Sequence, residues 1–583
     1  MYISPNETII EKKKCRLTGE EFVVTDADMV FYEKFGIPSP TLCPRELWRN
    51  LFGFRNEWNL FPRTCSKTWQ NILSCYRPDT IFPVYNHKLW WSDDWSGFDY
   101  GRDFDFSRPY FEQYKSLQDV VPRVGTTIFS SENCDYNSHA RYSKDCYLCS
   151  LFTKSELTYY SYWSVDAKNV FNSAMNTACE NIYNCLDIIR CSLCFWCQEC
   201  RDSSECYFSY QLKNCKNCIA CSGLVSKQYY IYNQPSTKEE YEKTLQIIKS
   251  SQTVWDQAQS VFAKIRAESV RPASQFVNVE NTTGDHLQNC RDCDDCFDAW
   301  EAENCRHCIN FWVSKDSIWC YSLGMPNGES CTQTCVVVNA FDVKYSFYIF
   351  DSKNITYCDS CRNSSELFAC IGLNHGKTSI MNKAYSQQEY EVLKTKIIDH
   401  MRSTGEWGQF FPLSVSPHPY EDSAAMDWYP LSESEVLKRG GRWGGEIFPL
   451  TSSGSSTDSS LHISQYDEKI VGHDIAVKNI ETVMKTVFKC PVSSKPFQII
   501  APELAFHISN LIPLPTIHPR ERNRELMKLR NPRELHEREC GECGKKISTS
   551  YTPDRPAVRG SEEPSGFWRE KILCEECYMK HLY

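Results

Sequence analysis

The sequence has no apolar run approaching the ~18 residues of a membrane span. Its opening stretch, Met1 to Cys15, is polar and lysine-bearing, without the apolar core of a secretory signal. Neither sign of charge dominates: 64 Lys and Arg stand against 74 Asp and Glu. That balance excludes a wholly basic nucleic-acid coat but leaves room for a local basic patch. No phosphate-binding loop, nucleophile elbow or HExxH motif occurs, so the commonest nucleotide and hydrolase chemistries lack their signatures.

Cysteine and aromatic residues are abundant instead, with 33 cysteines among 583 residues and aromatics at 14%. Disulfide-built secreted scaffolds are short, have an even cysteine count and follow a signal peptide. None of these applies, so the sequence predicts an intracellular, reducing compartment, no membrane association, and cysteines that serve as thiols or metal ligands.

Set in rows of twelve from Ser131, the chain forms three uniform columns. The first holds Ser131, Ser143, Ser155, Ala167, Cys179, Cys191, Ser203 and Cys215. The second holds Cys134, Cys146, Thr158, Val170, Ile182, Cys194, Cys206 and Cys218, and the third Asn137, Cys149, Ser161, Ser173, Cys185, Cys197, Ser209 and Cys221. After the second column comes an aromatic residue in six consecutive rows: Tyr147, Tyr159, Phe171, Tyr183, Phe195 and Tyr207. A fixed period without helical spacing denotes stacked units, and twelve residues are too few for a helical hairpin. They suffice for short strands with tight corners, stacked about 4.8 Å apart, around an interior that admits only small side chains. A coil of about twenty-four residues, two repeats to a turn, fits the same rows.

A second array begins near Cys290, with columns Cys293, Cys305, Ser317 and Cys296, Cys308, Cys320, and is interrupted at Gly324–Gly328. Both arrays end alike, in Cys221-x-Gly223-Leu224 and Cys370-x-Gly372-Leu373. Helix-like stretches follow, Thr237 to Glu268 and Gln387 to Arg402, predicted to cap the open edge of each array. The runs Cys191-x-x-Cys194-x-x-Cys197-x-x-Cys200 and Cys215-x-x-Cys218-x-x-Cys221 resemble metal-binding strings. Ser, Ala and Val fill the same columns in neighbouring rows, which favours small-residue packing over metal.

Shifted by 475 residues, the two ends of the chain align without gaps: Cys15 on Cys490, Cys43-Pro44-Arg45 on His518-Pro519-Arg520, Arg63-x-Cys65 on Arg538-x-Cys540. In the C-terminal copy Cys540, Cys543, Cys574 and Cys577 form two CxxC pairs, the donor set of a closed structural zinc site. Cys490 and His518 are a weaker candidate pair. Between them and Cys540 run Arg520, Arg522, Arg524, Lys528, Arg530 and Arg533, candidate contacts to nucleic-acid phosphates or else partners of nearby glutamates. The acidic–aromatic stretch 89–114, with Asp93, Asp94, Asp103 and Asp105, reads either as a cap on the first coil of an array or as a carbohydrate-acting site using residues 90–105.

The opening CxxTGExF (Cys15 to Phe22), the PTLCP of Pro40–Pro44, the YGRDFDFSRP of Tyr100–Pro109 and the rows ending in Glu240-Tyr241-Glu242 and Glu389-Tyr390-Glu391 resemble an uncharacterised cysteine-rich family. It is associated with giant viruses and candidate-phylum bacteria and sometimes carries a CoA-transferase label. The resemblance spans nearly the whole chain and implies no established activity or catalytic residue. This chain departs from it in having Cys43-Pro-Arg-Glu46 where the family usually has CPxC.

The sequence therefore predicts a mainly β protein: two parallel β-solenoid arrays with helical caps, flanked by duplicated small zinc-ribbon-like α+β modules. The expected units are a degenerate N-terminal module (1–88), an acidic–aromatic cap (89–130), the first array (131–235) and a helical linker (236–284). The second array (285–385), a helix and connector (386–449), a Ser/Thr-rich linker (450–465) and the C-terminal zinc module (466–583) complete the chain. The predicted role is a non-enzymatic scaffold with structural zinc that binds a macromolecule, protein or nucleic acid. A nucleic-acid binder, a carbohydrate-acting enzyme and a structural component of a particle are the alternatives.

Overall fold

A computed structural model describes residues 3–4, 7–250, 252–445, 480–553 and 572–582. The linker expected at 450–465 and residues 466–479 lie outside the described residues. The chain is β-rich with mostly parallel sheets, and the register of those sheets is the sequence period. Glu156 pairs with Lys168, Lys168 with Glu180 and Glu180 with Ser192. A second ladder joins Ser150, Tyr162, Ala174 and Leu186. Beyond residue 284 the same offset pairs Phe297 with Ile309, Val337 with Ile349 and Ile355 with Leu367. Hydrogen-bonded neighbours are thus twelve residues apart, not twenty-four.

Within each twelve-residue rung the backbone turns at every third residue. Asp145, Leu148, Leu151 and Lys154 have left-handed φ, as do Leu157, Tyr160, Trp163 and Asp166 in the next rung. An inward residue follows each corner: Cys146, Cys149, Phe152 and Ser155 are all buried. The interior therefore has four columns. The fourth, which runs Phe152, Ser164, Asn176, Ile188, Cys200, Leu212, is not uniform in size.

A left-handed corner costs an ordinary L-residue about 1–2 kcal/mol. It is offset by a hydrogen bond from the corner N–H to the preceding rung, as from Leu157 to the Lys144 carbonyl (3.1 Å) and from Asn172 to that of Tyr159 (2.9 Å). The inward N–H of the third column points into the interior instead, and a buried donor left unmet is costly. The side chain one rung earlier accepts it. Ser173 N–H donates to Ser161 Oγ (3.3 Å), Cys185 N–H to Ser173 Oγ (3.1 Å) and Cys197 N–H to Cys185 Sγ (3.4 Å). Each accepting group donates in turn to the carbonyl two residues before it, Ser173 Oγ to Phe171 (2.9 Å) and Cys185 Sγ to Tyr183 (3.4 Å). Serine and cysteine interchange here because both are small and both donate and accept. Size alone, the reason predicted from sequence, is only half of it.

Each array ends on an asparagine. Asn233 bonds the N–H and C=O of Ser222, and Asn382 those of Ile371. The chain then folds back antiparallel, Gln234–Pro235 onto Gln228–Ile231 and Lys383–Ala384 onto Lys377–Ile380. This turn-back blocks the open edge, a role the sequence had assigned to helices. The helices follow it, starting at capping boxes Thr237/Glu240 and Ser386/Glu389. The stretch expected as one helix from Thr237 to Glu268 is two, Lys238–Ile248 and Gln252–Glu268. They lie beside the rungs, where Trp255 packs on Trp196 and Phe208.

The terminal units repeat their elements at the 475-residue shift. Helix Asp26–Phe35 matches Ala501–Asn510, Pro44–Gly53 matches Pro519–Met527, and hairpin Phe61–Thr64/Asn71–Ser74 matches His536–Glu539/Lys546–Thr549. Each packs chiefly on the array remote from it in sequence, and both use the column that follows the second inward column. Phe52 of the N-terminal unit stacks on Tyr321 of the second array at 3.8 Å, while Arg123 pairs with Asp359. Phe506 of the C-terminal unit stacks on Phe171 of the first array at 4.2 Å.

The acidic–aromatic stretch lies mainly on the last rungs of the second array, and its Trp91 also packs on Phe129, in the strand that pairs with the first rung of the first array. Arg362 donates to the Trp90 carbonyl, Trp95 packs over Gly372, and Asn382 donates to the Gly97 carbonyl. Asp103 pairs with Lys383, and Asp105 binds Ser107 within its own turn.

Candidate metal centre

Four tight turns, at Cys15, Cys65, Cys490 and Cys540, share one backbone design. In each, the cysteine carbonyl accepts from the N–H four residues on: Gly19 (2.8 Å), Trp69 (3.0 Å), Ser494 (2.9 Å) and Gly544 (3.0 Å). All four of these residues have left-handed φ, which glycine adopts at least cost. The turn aims successive N–H groups at the cysteine sulfur and so stabilises a thiolate. Burial opposes ionisation of Cys540, but the N–H groups of Cys543, Cys574 and Glu542 outweigh it and bring this thiol down to about 6.

Only at Cys540 is the residue three places on another cysteine. Thr18, Thr68 and Ser493 stand there in the other turns; burial opposes ionisation, but the surrounding backbone N–H groups and these nearby hydroxyls hold each thiol below its ordinary value. Three of the turns thus share the backbone of the Cys540 turn but offer one cysteine where it offers two.

The second knuckle is supplied by the segment Ile572–Leu573 and helix Glu575–Leu582. Cys574 N–H donates to Cys540 Sγ at 3.3 Å. The sulfurs of Cys540, Cys543, Cys574 and Cys577 all lie within 4.8 Å of one another, and Cys543 and Cys574 are 3.8 Å apart. That separation matches the edge of a tetrahedron with metal–sulfur bonds of about 2.3 Å, so the donor set fits a four-thiolate metal ion. Cys543 is the exposed member.

Asn86 occupies the corresponding place in the N-terminal unit. Its N–H donates to Cys65 Sγ at 3.4 Å, and helix His87–Trp91 follows it. Sequence comparison missed this counterpart, because Asn86 lies 21 residues after Cys65 whereas Cys574 lies 34 after Cys540.

The weaker pair gains no further ligands. Cys490 and His518 are buried and adjacent, but among the described residues no metal-binding group of three or more includes them. His518 Nδ1 accepts from Arg520 N–H, and burial with nearby cations holds its ring down to about 3. None of the array cysteines joins such a group among the described residues, and all 33 cysteines are unpaired by disulfides.

The six basic candidates are engaged within the molecule. Arg522 is buried against Glu503; Arg530 binds Asp187 and Asp298, and Arg533 binds Asp298. Arg520 pairs with Asp427, Arg524 with Glu521 and Lys528 with Glu525. Arg520, Arg530 and Arg533 therefore tie the C-terminal unit to the rest of the chain, Arg522 binds within that unit, and only Arg524 and Lys528 have side chains about half exposed. No helix among the described residues is long and apolar enough to cross a membrane. No protein-family model matches the chain, and no curated protein matches it.

Proposed function

We propose that this protein is a non-enzymatic scaffold: two β-solenoid arrays in one chain, held together by terminal zinc-ribbon-like units, one of which carries structural zinc, and presenting a macromolecule with a long stacked face. The observation that carries this reading is the location of the four thiols. The strand Ile572–Leu573, which sets Cys574 in place, pairs with Arg271–Pro272 at the approach to the second array. A metal ion there staples the C-terminal unit to the point where the two arrays meet. Four thiolates leave no open position for catalysis, and soft sulfur donors favour zinc over calcium or magnesium. Unpaired cysteines throughout suit a reducing compartment. The internal ion pairs of Arg520, Arg522, Arg530 and Arg533 favour this reading over a nucleic-acid grip.

Elemental analysis of the purified chain tests it. The expected result is about one zinc per chain, abolished in a Cys540→Ser, Cys574→Ser variant. A metal-free native chain that melts at the same temperature with and without added zinc would remove the staple.

A further inference from the structure

Of the 33 cysteines, one is exposed and every other is buried. The exposed one is Cys543, and it belongs to the four-thiol cluster whose other members, Cys540, Cys574 and Cys577, are enclosed. A sulfur reacts with an oxidant when it is a thiolate and when solvent can reach it. The array cysteines are shut off from solvent. Their thiols also donate to backbone carbonyls, as Cys185 does to Tyr183 and Cys194 (3.4 and 3.3 Å) and Cys191 to Ile189 and Cys200 (3.4 Å each). Cys543 differs on both counts. Its side chain meets solvent, and a metal ion held by the cluster keeps its ligands deprotonated.

The neighbouring sulfur completes the chemistry. Cys574 Sγ lies 3.8 Å from Cys543 Sγ, and a disulfide needs the two at about 2.05 Å. A sulfenic acid formed beside a second thiolate condenses with it instead of climbing to irreversible oxidation states. Cys574 is also the ligand through which the cluster grips the rest of the molecule. Strand Ile572–Leu573 before it pairs with Arg271–Pro272 at the approach to the second array. Helix Glu575–Leu582 after it carries Tyr578, whose hydroxyl donates to Gln211 Oε1 in the first array at 3.1 Å.

We propose that Cys543 is a site of reversible oxidation by hydroperoxides, with Cys574 as its resolving partner, and that this oxidation opens the metal staple. The proposal rests on the four-thiolate zinc reading and adds a means of regulating it. In the first step the Cys543 thiolate attacks one peroxide oxygen; the O–O bond breaks, the sulfur becomes a sulfenic acid and hydroxide leaves. In the second, the Cys574 thiolate attacks that sulfur; the S–S bond forms, the S–O bond breaks and a second hydroxide leaves. The two sulfurs give up two electrons and the two peroxide oxygens take them. Two thiolates then remain where four stood, too few to retain zinc against solvent, and the C-terminal unit loosens from both arrays. A small thiol reductant with zinc present restores the cluster.

The test uses the full chain, purified with a thiol reductant that is then removed, and hydrogen peroxide as the probe. A chromophoric chelator follows zinc, and peptide mass mapping follows the cysteines. About one zinc per chain is expected before peroxide. Peroxide should release it, dithiothreitol with added zinc should reverse the loss, and mapping should find Cys543 linked to Cys574 while the array cysteines remain thiols. Cys543→His keeps a metal ligand without the sulfur chemistry, so it should release zinc at least about tenfold more slowly. Mapping of the native chain decides the matter even if that variant binds no zinc. A chain without zinc before peroxide removes the structural-zinc reading and this proposal with it. Zinc that is present but retained under peroxide, or a first oxidation at any cysteine other than Cys543, overturns this proposal alone.

Discussion

At the scale of single residues, the third inward column explains why this chain is rich in both cysteine and serine. Ser173 accepts from Cys185 N–H and donates to the Phe171 carbonyl while fully buried. Ser173→Cys keeps both capacities and should change stability by less than about 1 kcal/mol. Ser173→Ala strands the Cys185 N–H in a dry interior and should cost about 1–3 kcal/mol. Denaturant midpoints of the two variants decide the matter; an alanine as harmless as the cysteine would show that the column selects for size alone. Three of the four columns were legible in the sequence because their residues are uniformly small. The fourth was not, since Phe152, Asn176 and Leu212 have no property in common that a reader of rows would notice. The left-handed corners were also hidden, because Leu148, Tyr160 and Trp163 are residues that seldom adopt that conformation.

Among elements, the four cysteine turns share one backbone design but not one set of side chains. The shift of 475 residues made the two units legible, and the helices and hairpins match at that shift. It could not reveal Asn86 as the positional counterpart of Cys574, because both the residue type and the loop length differ. Nor could it tell where the units dock. Helix Ala501–Asn510 sets Phe506 against Phe171, Tyr183 and Phe195 of the first array. Truncating a buried phenylalanine costs about 3–5 kcal/mol in a core. Phe506→Ala should therefore raise amide exchange across residues 501–510 while strand Lys216–Ile219 stays protected. Unchanged exchange in the helix would mean that the Arg530 and Arg533 ion pairs hold the unit without the ring. The arginine run of residues 520–533 read as a surface patch because its partners, Asp187 and Asp298, lie hundreds of positions away in the chain.

For the whole molecule, buried histidines bound the pH range of stability on both sides. His307 is stacked on Trp319 and lies between Asp28 and Asp295, with Arg306 beside it. Burial and Arg306 oppose its charge, but the two carboxylates prevail and raise its pKa to about 9 from 6.5. The stability it supplies is complete below about 6.5 and is lost as the pH rises through about 9. His507 behaves oppositely. Burial first, then Arg522, holds it down to about 3, so its contribution is present above about 6.5 and declines as the pH falls toward 3. Melting temperature should therefore peak near neutrality, and His307→Gln should flatten the alkaline limb while lowering the peak. An alkaline limb that keeps its slope in that variant would mean that other groups carry it.

The remote docking of the two end units has a consequence for biosynthesis. A nascent chain emerges with Phe171 and Phe195 exposed, and Phe506, which covers them, follows only after the entire second array has been translated. The N-terminal unit likewise waits for Tyr321. During that interval the first array presents a bare aromatic stripe to solvent or to a chaperone, and truncated translation products would be the species most prone to aggregate.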